Sequence, residues 1–495
     1  MRDFAELAKL VTRFKSKRID EIYNDQKQSG TKYIKMIEAL SADSVLADEY
    51  VEEIIGAERK SSTYRMFKLR FQEKLLNSIL SSKVNSFANY SNTLMALSRN
   101  VYCIRVLLLF SARSSAVALS ELTLKKAIEY HFAEIVLFCS QNLRRNQLFI
   151  GNLKVFNYYS EIYNRYSEIL VAENKASEYY ELIHIQDSSS LLFHTDYLKT
   201  MQKYVKEVDG FRKKYNTYQL NLYYFRIKAI LQLNSQDYFS CLETWNSMAI
   251  YCDQYKHFEY KTRMGEILIQ KMYCYLYLRD YKNGLICAKQ CSNLFEEGTN
   301  NWFIYNELLL IISFHTQNYG QAGIIIKQIT SSPEFKFKNS NLKERWKIFE
   351  AYYSILVLAG KAEPYSKVKF RFSSFINSVG IHTKDKKGFN ASLIIVELMY
   401  YLLNKDYHII TEKIVALKNY SARHFKGNDN YRSYIFIQLM IQCEKHRFVR
   451  STVLKRTLRL QTKLKNAQFT FIQSLDGIEI VPFMDLWKIV LGCLD

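Results

Sequence analysis

The sequence predicts an all-α protein built as an α-solenoid of stacked helical hairpins, and three observations carry that expectation. The 495 residues include only 3 Pro and 15 Gly. Sheet proteins rich in tight turns need more of both, whereas helix interiors exclude both. Hydrophobic residues make up 48% of the chain, enough to bury a large core and to exclude global disorder. Finally, a short polar–Asp/Asn–Tyr step recurs between apolar helical stretches. It reads NSQDY to Tyr238, YLRDY to Tyr281, HTQNY to Tyr319 and LNKDY to Tyr407. The tyrosines are 43, 38 and 88 residues apart, and the last spacing is close to twice the first. Self-similarity at such a period marks stacked helical hairpins, an architecture used mostly for binding.

Residues 1–90 read as a separate N-terminal helical cap domain. The opening MRDFAELAKLVTRFKSKRID is amphipathic and charged and lacks the apolar centre of a signal peptide. TKYIKMIEAL predicts one helix. SADSVLADEYVEEII predicts a second, with Ser41 or Asp43 as its cap and Gly56 ending it. SSTYRMFKLRFQEKLLNSIL predicts a third, starting at Ser61 or Ser62. Three short helices with a glycine turn before the last outline a helix-turn-helix unit. On that reading Arg65, Lys68, Arg70 and Lys74, with Gln72, face nucleic acid, while Met66, Phe67, Leu69, Leu75 and Leu76 pack inward. The plainer reading is an end cap with a soluble outer face.

Residues 91–220 form an irregular helical region. Ala118–Arg145 reads as a helical hairpin and Phe156–Ile185 as one long continuous helix, after which QDSSS punctuates the chain. His131, His184 and His194 have no partners at metal-ligand spacing. Nor do the nine scattered Cys, although Cys287 and Cys291 share a helix face. They read as buried free thiols in a reducing compartment. No stretch approaches ~20 uninterrupted apolar residues. The best candidate, Val101–Ser120, is broken by Arg105 and Arg113. A cytoplasmic protein without a membrane partner is expected.

Residues 221–425 carry the repeat. Aligned on its Tyr, the position nine upstream holds Ala229, Met272, Leu310 and Leu398. Three downstream stand Cys241, Gly284, Ala322 and Ile410, and seven downstream Trp245, Ala288, Ile326 and Ile414. Ten downstream come Met248, Cys291, Ile329 and Leu417. Over roughly residues 215–425 this pattern resembles the tetratricopeptide repeat family, whose unit is a pair of antiparallel helices of about 34 residues. The whole chain also looks like bacterial tetratricopeptide-like proteins of no assigned activity. The resemblance implies a right-handed α-solenoid with small residues where paired helices cross. Ile410 departs from that rule, and the longer spacing implies longer helices or loops. An intervening copy is expected around Gly360, with Pro364 where its second helix should begin. The family's carboxylate-clamping basic residues do not align here.

Charge is concentrated towards the end of the sequence. The net charge is +21, and Lys361–Lys465 holds 21 Lys/Arg against 7 Asp/Glu, a net of +14. The basic region 426–495 is densest over Lys445, Arg447, Arg450, Lys455, Arg456 and Arg459, followed by Lys463 and Lys465. Phe448, Val453, Leu454, Leu458 and Leu460 predict one buried stripe beneath these cations. Such a helix suits a phosphate backbone or an acidic protein. Residues 468–483 contain Asp476-Gly477 between apolar runs, which predicts a small β-hairpin. No phosphate loop, metalloprotease, Cys-x-x-Cys or nucleophile-elbow motif occurs. The sequence therefore reads as a non-enzymatic scaffold without a cofactor, taking a protein or peptide in the solenoid groove. The alternative is a DNA- or RNA-binding regulatory or assembly factor.

Overall fold

The computed structural model describes residues 2–13, 28–42, 48–81, 89–188, 195–365, 371–378, 387–424, 431–467 and 479–494. Among them are 22 α-helices, a 3₁₀ turn at Pro333–Phe337 and no strand. The chain divides into two compact units, Met1–Ser167 with His257–Glu259, and Glu168–Lys256 with Tyr260–Asp495.

The first unit opens with four helices: α1 (Arg2–Arg13), α2 (Gln28–Ala42), α3 (Asp48–Ile55) and α4 (Ser62–Ser81). The amphipathic opening stretch thus folds as α1, and its Ala8 and Val11 join a core with Tyr33, Met36, Leu40, Val51, Phe71 and Leu75. Helix α2 runs through Ser41, which is therefore not a cap, while Asp43 lies outside the described residues. Gly56 ends α3 in the left-handed region, at φ +69°, and its N–H donates to Glu52 O at 2.7 Å. Ser61 caps α4, accepting from the Tyr64 N–H at 3.2 Å.

The register of α4 differs from expectation. Tyr64, Phe71 and Leu75 are buried, whereas Met66, Leu69 and Leu76 are exposed. The inward stripe follows the aromatics, because Phe71 stacks on Phe4 at 5.9 Å and on Tyr33 at 5.8 Å. Once that seam is fixed, Met66, Leu69 and Leu76 fall on other faces of the helix.

Helices α5 (Asn89–Leu109), α6 (Arg113–Glu129) and α7 (Ala133–Ile150) then pack in succession, so the expected hairpin is α6–α7. Small residues make its seam: Ala116, Ser120 and Ala127 on α6 and Ala133, Cys139 and Ser140 on α7 are buried. Helix α8 (Leu153–Ser188) is the expected long continuous helix, and the division between the units falls inside it.

In the second unit, α8 packs with α9 (Thr195–Tyr215) and α10 (Tyr218–Asn234) around Ala172, Ala176, Met201, Val208 and Ile227. A larger core unites α11 (Tyr238–Asp253), α12 (Tyr260–Leu278), α13 (Tyr281–Cys291), α14 (Asn300–His315), α15 (Tyr319–Ser331) and α16 (Ser340–Leu358). It continues through α17 (Phe372–Ser378), α18 (Lys387–Leu403), α19 (Tyr407–His424), α20 (Tyr431–Lys445), α21 (Arg450–Asn466) and α22 (Phe483–Cys493).

One backbone turn punctuates this series. Gln236, Arg279, Gln317, Gly360, Lys405 and Arg447 all have positive φ, between 54° and 66°. At Gln236 the left-handed residue donates back to Leu233 O, and the next N–H, of Asp237, reaches Gln232 O at 2.9 Å. This paired closure satisfies two orphan carbonyls of the preceding helix. The same two bonds recur at the other five positions. Successive turns lie 43, 38, 43, 45 and 42 residues apart. The intervening turn at Gly360 is thus present, and a further one at Arg447 was not visible in the sequence step. After Gly360, however, no helix starts at Pro364, and the next described helix is α17.

The repeated step explains itself on this geometry. Its first polar residue takes the left-handed position. Its Asp or Asn then caps the following helix: Asp237 accepts from Ser240 N–H at 3.1 Å, Asp280 from Asn283 at 3.2 Å and Asn318 from Gln321 at 3.3 Å. Its Tyr docks on the next hairpin. Tyr238 stacks on Tyr277 at 5.2 Å, Tyr281 hydrogen-bonds His315 at 2.9 Å, and Tyr407 stacks on Phe448 at 4.4 Å.

The aligned positions lie inside the core. Ala229, Met272, Leu310, Leu398, Cys241, Ala322, Ile410, Trp245, Ala288, Ile326, Ile414, Met248, Cys291 and Ile329 are all buried; the Leu417 side chain lies outside the described set. Close crossing is visible where small residues stand: Cys241 Sγ lies 3.5 Å from Ala229 O. A Cβ on Gly284 would lie 3.3 Å from Ile312 Cδ1 and 3.6 Å from Tyr275 Cβ. The expected β-hairpin falls mostly on residues outside the described set, and residues 479–482 are irregular.

Candidate interaction surfaces

Ion pairs that sequence reasoning missed tie the helices together. Between the first helices of successive hairpins, Arg226 on α10 makes a two-pronged pair with Glu266 on α12, at 2.6 and 2.7 Å, and Arg345 on α16 meets Glu307 on α14 at 3.0 Å. Within one hairpin, Lys413 on α19 meets Glu397 on α18 at 2.7 Å. Helix α14 buries twelve of its sixteen residues, Glu307 included, so it is covered on all sides and presents no open groove.

The chain's own segment 479–494 packs on α18, α20 and α21 and reaches part of the row of turn tyrosines. His315 Nε2–H donates to Glu479 O at 2.5 Å, leaving Nδ1 to accept from the Tyr281 hydroxyl. Asp485 acts electrostatically on Tyr281, His315 and Tyr319. At the far end of α22, Tyr407 Oη donates to Cys493 O at 3.4 Å. Helix α22 buries Phe483, Leu486, Trp487, Ile489 and Val490 on one face, and Phe483 stacks on Phe436 at 4.8 Å. Arg432 anchors the entry to this segment. Its Nε donates to the Glu479 carboxylate, and its Nη1 donates at 2.6 Å to both Leu464 O and Ala467 O. Glu479 Oε2 also accepts from the Phe483 N–H at 3.1 Å.

This network makes stability pH-dependent. Burial, with the Arg279 and Arg432 charges, lowers the His315 pKa from 6.5 to about 4, against the opposing pull of the Glu479 carbonyl and Asp485. The unfolded chain therefore takes up the proton first as pH falls below 6.5. Stability contributed by the neutral ring is full above that pH. About 2 kcal/mol of it is lost between pH 7 and pH 5. Urea denaturation at the two pH values measures the loss. His315→Gln should flatten the slope, and an unchanged slope would show that another group carries it.

The predicted polyanion residues fall on two separate surfaces. On α4, Arg65 and Arg70 are exposed, whereas Lys68 lies over the Phe4 ring at 5.3 Å and Lys74 over Tyr33 at 5.0 Å. Lys68 and Lys74 thus help to cover the aromatic seam, and only part of the expected row of donors projects freely. On α21 the cations are better assembled. Val453, Thr457 and Leu464 are buried, while Leu458, expected in that stripe, is exposed. Lys455, Arg456, Arg459 and Lys463 share the opposite, exposed face, with Arg450 and Lys465 on its flanks and Lys445 and Arg447 in the preceding turn. Helix α21 contains no Asp or Glu.

Of the nine cysteines seven are buried, Cys493 is half-buried and Cys103 is exposed, against the expectation that all are buried. Burial pushes Cys139, Cys291 and Cys443 up to about 12, which leaves these thiols inert. Among the described residues no group of three or more His, Cys, Asp or Glu could hold a metal ion. Nor is any helix among them long and apolar enough to cross a membrane. No family model, curated protein or solved structure matches the chain.

Proposed function

We propose that the protein is a non-enzymatic scaffold whose tetratricopeptide-like hairpins stack as a right-handed α-solenoid and bind a protein partner in the cytoplasm. The observation that supports this reading is the recurrent turn, present six times at a period near 42 residues, with a tyrosine that docks on the next hairpin after three of them. Stacks of this kind suit binding because each added unit extends one continuous surface. Helix α22 indicates the ligand chemistry that the turn face accepts: an amphipathic helix, apolar at Phe483, Leu486, Trp487 and Val490, with an acidic residue near its start. A partner either replaces that helix or uses the exposed second helices of the hairpins, α11, α13 and α15.

A second reading, binding of nucleic acid or another polyanion, is favoured by the α21 face. Its cations repel one another without an acidic residue on the helix to offset them, which a purely structural helix has no reason to keep.

Capture by the full chain after nuclease treatment separates the two. The scaffold reading expects a protein partner retained equally by the wild type and by Arg456→Glu/Arg459→Glu. Loss of the partner on nuclease treatment, or on charge reversal alone, supports the polyanion reading.

A further inference from the structure

The first unit carries an apolar tip. Leu109 and Phe110, where α5 turns into α6, are each 82% exposed. At the joint of α7 and α8, Leu148 is 76%, Phe149 64%, Ile150 63% and Leu153 70% exposed. The two places are neighbours. Arg113, three residues after Phe110, lies over the Phe149 ring at 3.8 Å. Helices α5 and α7 both pack on α6 and on each other, so their C-terminal ends share one end of the bundle. Six large apolar side chains in water on one end mark an interaction site rather than scattered surface residues.

Charge says what covers it. Residues 101–120 and 135–160 contain Arg105, Arg113, Arg144, Arg145 and Lys154 and not one Asp or Glu. Arg113, Arg145 and Lys154 are exposed around the tip, and Arg105, also exposed, lies over the Phe138 ring at 4.9 Å lower on α7. Two copies meeting tip to tip would bring two such collars together and repel. An apolar end ringed by cations matches instead a surface that is apolar beneath and anionic on top, the chemistry of an acidic lipid headgroup layer. We propose that this tip docks on anionic bilayers, with Leu109, Phe110, Phe149 and Ile150 entering the headgroup–acyl boundary and the collar held by lipid phosphates and carboxylates. This is peripheral contact through a joint between helices. No local pattern announces it, because Val101–Ser120 is too broken by Arg105 and Arg113 to read as a spanning segment, and the turn that splits it is what exposes the tip.

The test uses the full chain and a reporter. All four tryptophans, Trp245, Trp302, Trp346 and Trp487, are buried, so Phe110→Trp supplies the one exposed indole among the described residues. Vesicles of phosphatidylcholine with about a third phosphatidylserine should shift its emission to the blue, and pure phosphatidylcholine should not. Leu109→Ser/Phe149→Ser in that background should weaken partition on the order of ten-fold or more. Arg145→Glu/Lys154→Glu should weaken it ~5-fold or more per cation reversed. Arg456→Glu/Arg459→Glu should leave it unchanged. These tip positions are exposed, so circular dichroism should show intact folding. No blue shift overturns the proposal. So does vesicle binding that survives loss of the apolar tip but disappears with the α21 cations, because bulk charge then explains it. An acidic protein that protects the Phe110→Trp reporter where vesicles do not would reassign the tip to a protein partner.

Discussion

Replacing Arg432 by alanine is expected to destabilise the second unit by about 3–5 kcal/mol. The guanidinium is buried and satisfies the Glu479 carboxylate and the Leu464 and Ala467 carbonyls. Its removal strands a buried carboxylate and two carbonyls at once. The cost is the desolvation of those groups rather than the worth of the pair itself. The double change Arg432→Met/Glu479→Leu removes both charges and should recover much of the loss. Chemical denaturation of the three proteins measures this. If Arg432→Ala alone changes stability by less than about 1 kcal/mol, the segment after residue 478 is not held by this pair.

Trp487→Ala is expected to cost about 3–5 kcal/mol and to free α22 from the turn face. Trp487 is among the largest fully buried side chains, and its truncation leaves a void that the surrounding helices cannot close. Its indole N–H has no hydrogen-bond partner among the described residues, so Trp487→Phe keeps most of the packing without losing one of the hydrogen bonds seen there and should be much milder. Hydrogen exchange reads the local consequence. Amides of α22 should lose protection in Trp487→Ala while those of α10 and α11 keep theirs. Equal loss everywhere would mean that α22 is part of one cooperative core, with no separable occupant of the turn face.

The sequence carried the repeat where three jobs coincide in three adjacent side chains. At Gln236-Asp237-Tyr238 the backbone reversal, the helix cap and the contact to the next hairpin each select a residue type, so the step is visible. At Gly360-Lys361 and Arg447-Phe448 the same backbone hydrogen bonds form, but no Asp follows to cap a helix. Backbone geometry leaves no side-chain signature there, and the turns were hidden or half-hidden. Ion pairs such as Arg226–Glu266 and the Arg432–Glu479 contact join residues 40 and 47 apart, which no local pattern can announce.

The surfaces were less legible than the core. On α4 the sequence offered several apolar residues for one inward face, and the aromatic seam of Phe4, Tyr33, Phe67 and Phe71 decided among them. That choice left Met66, Leu69 and Leu76 outside and drew Lys68 and Lys74 onto rings. The α21 cations were placed correctly outside because seventeen residues with few apolar ones allow a single stripe.

Binding of labelled double- and single-stranded DNA and RNA to the full chain over a salt series tests the central claim most directly. The slope of log affinity against log salt counts the phosphates neutralised. The scaffold account predicts weak binding that disappears near physiological salt and differs little in Arg456→Glu/Arg459→Glu. Submicromolar binding at that salt, with a steep slope that falls by about two phosphates in the reversed variant, would contradict it and make the α21 face the working surface.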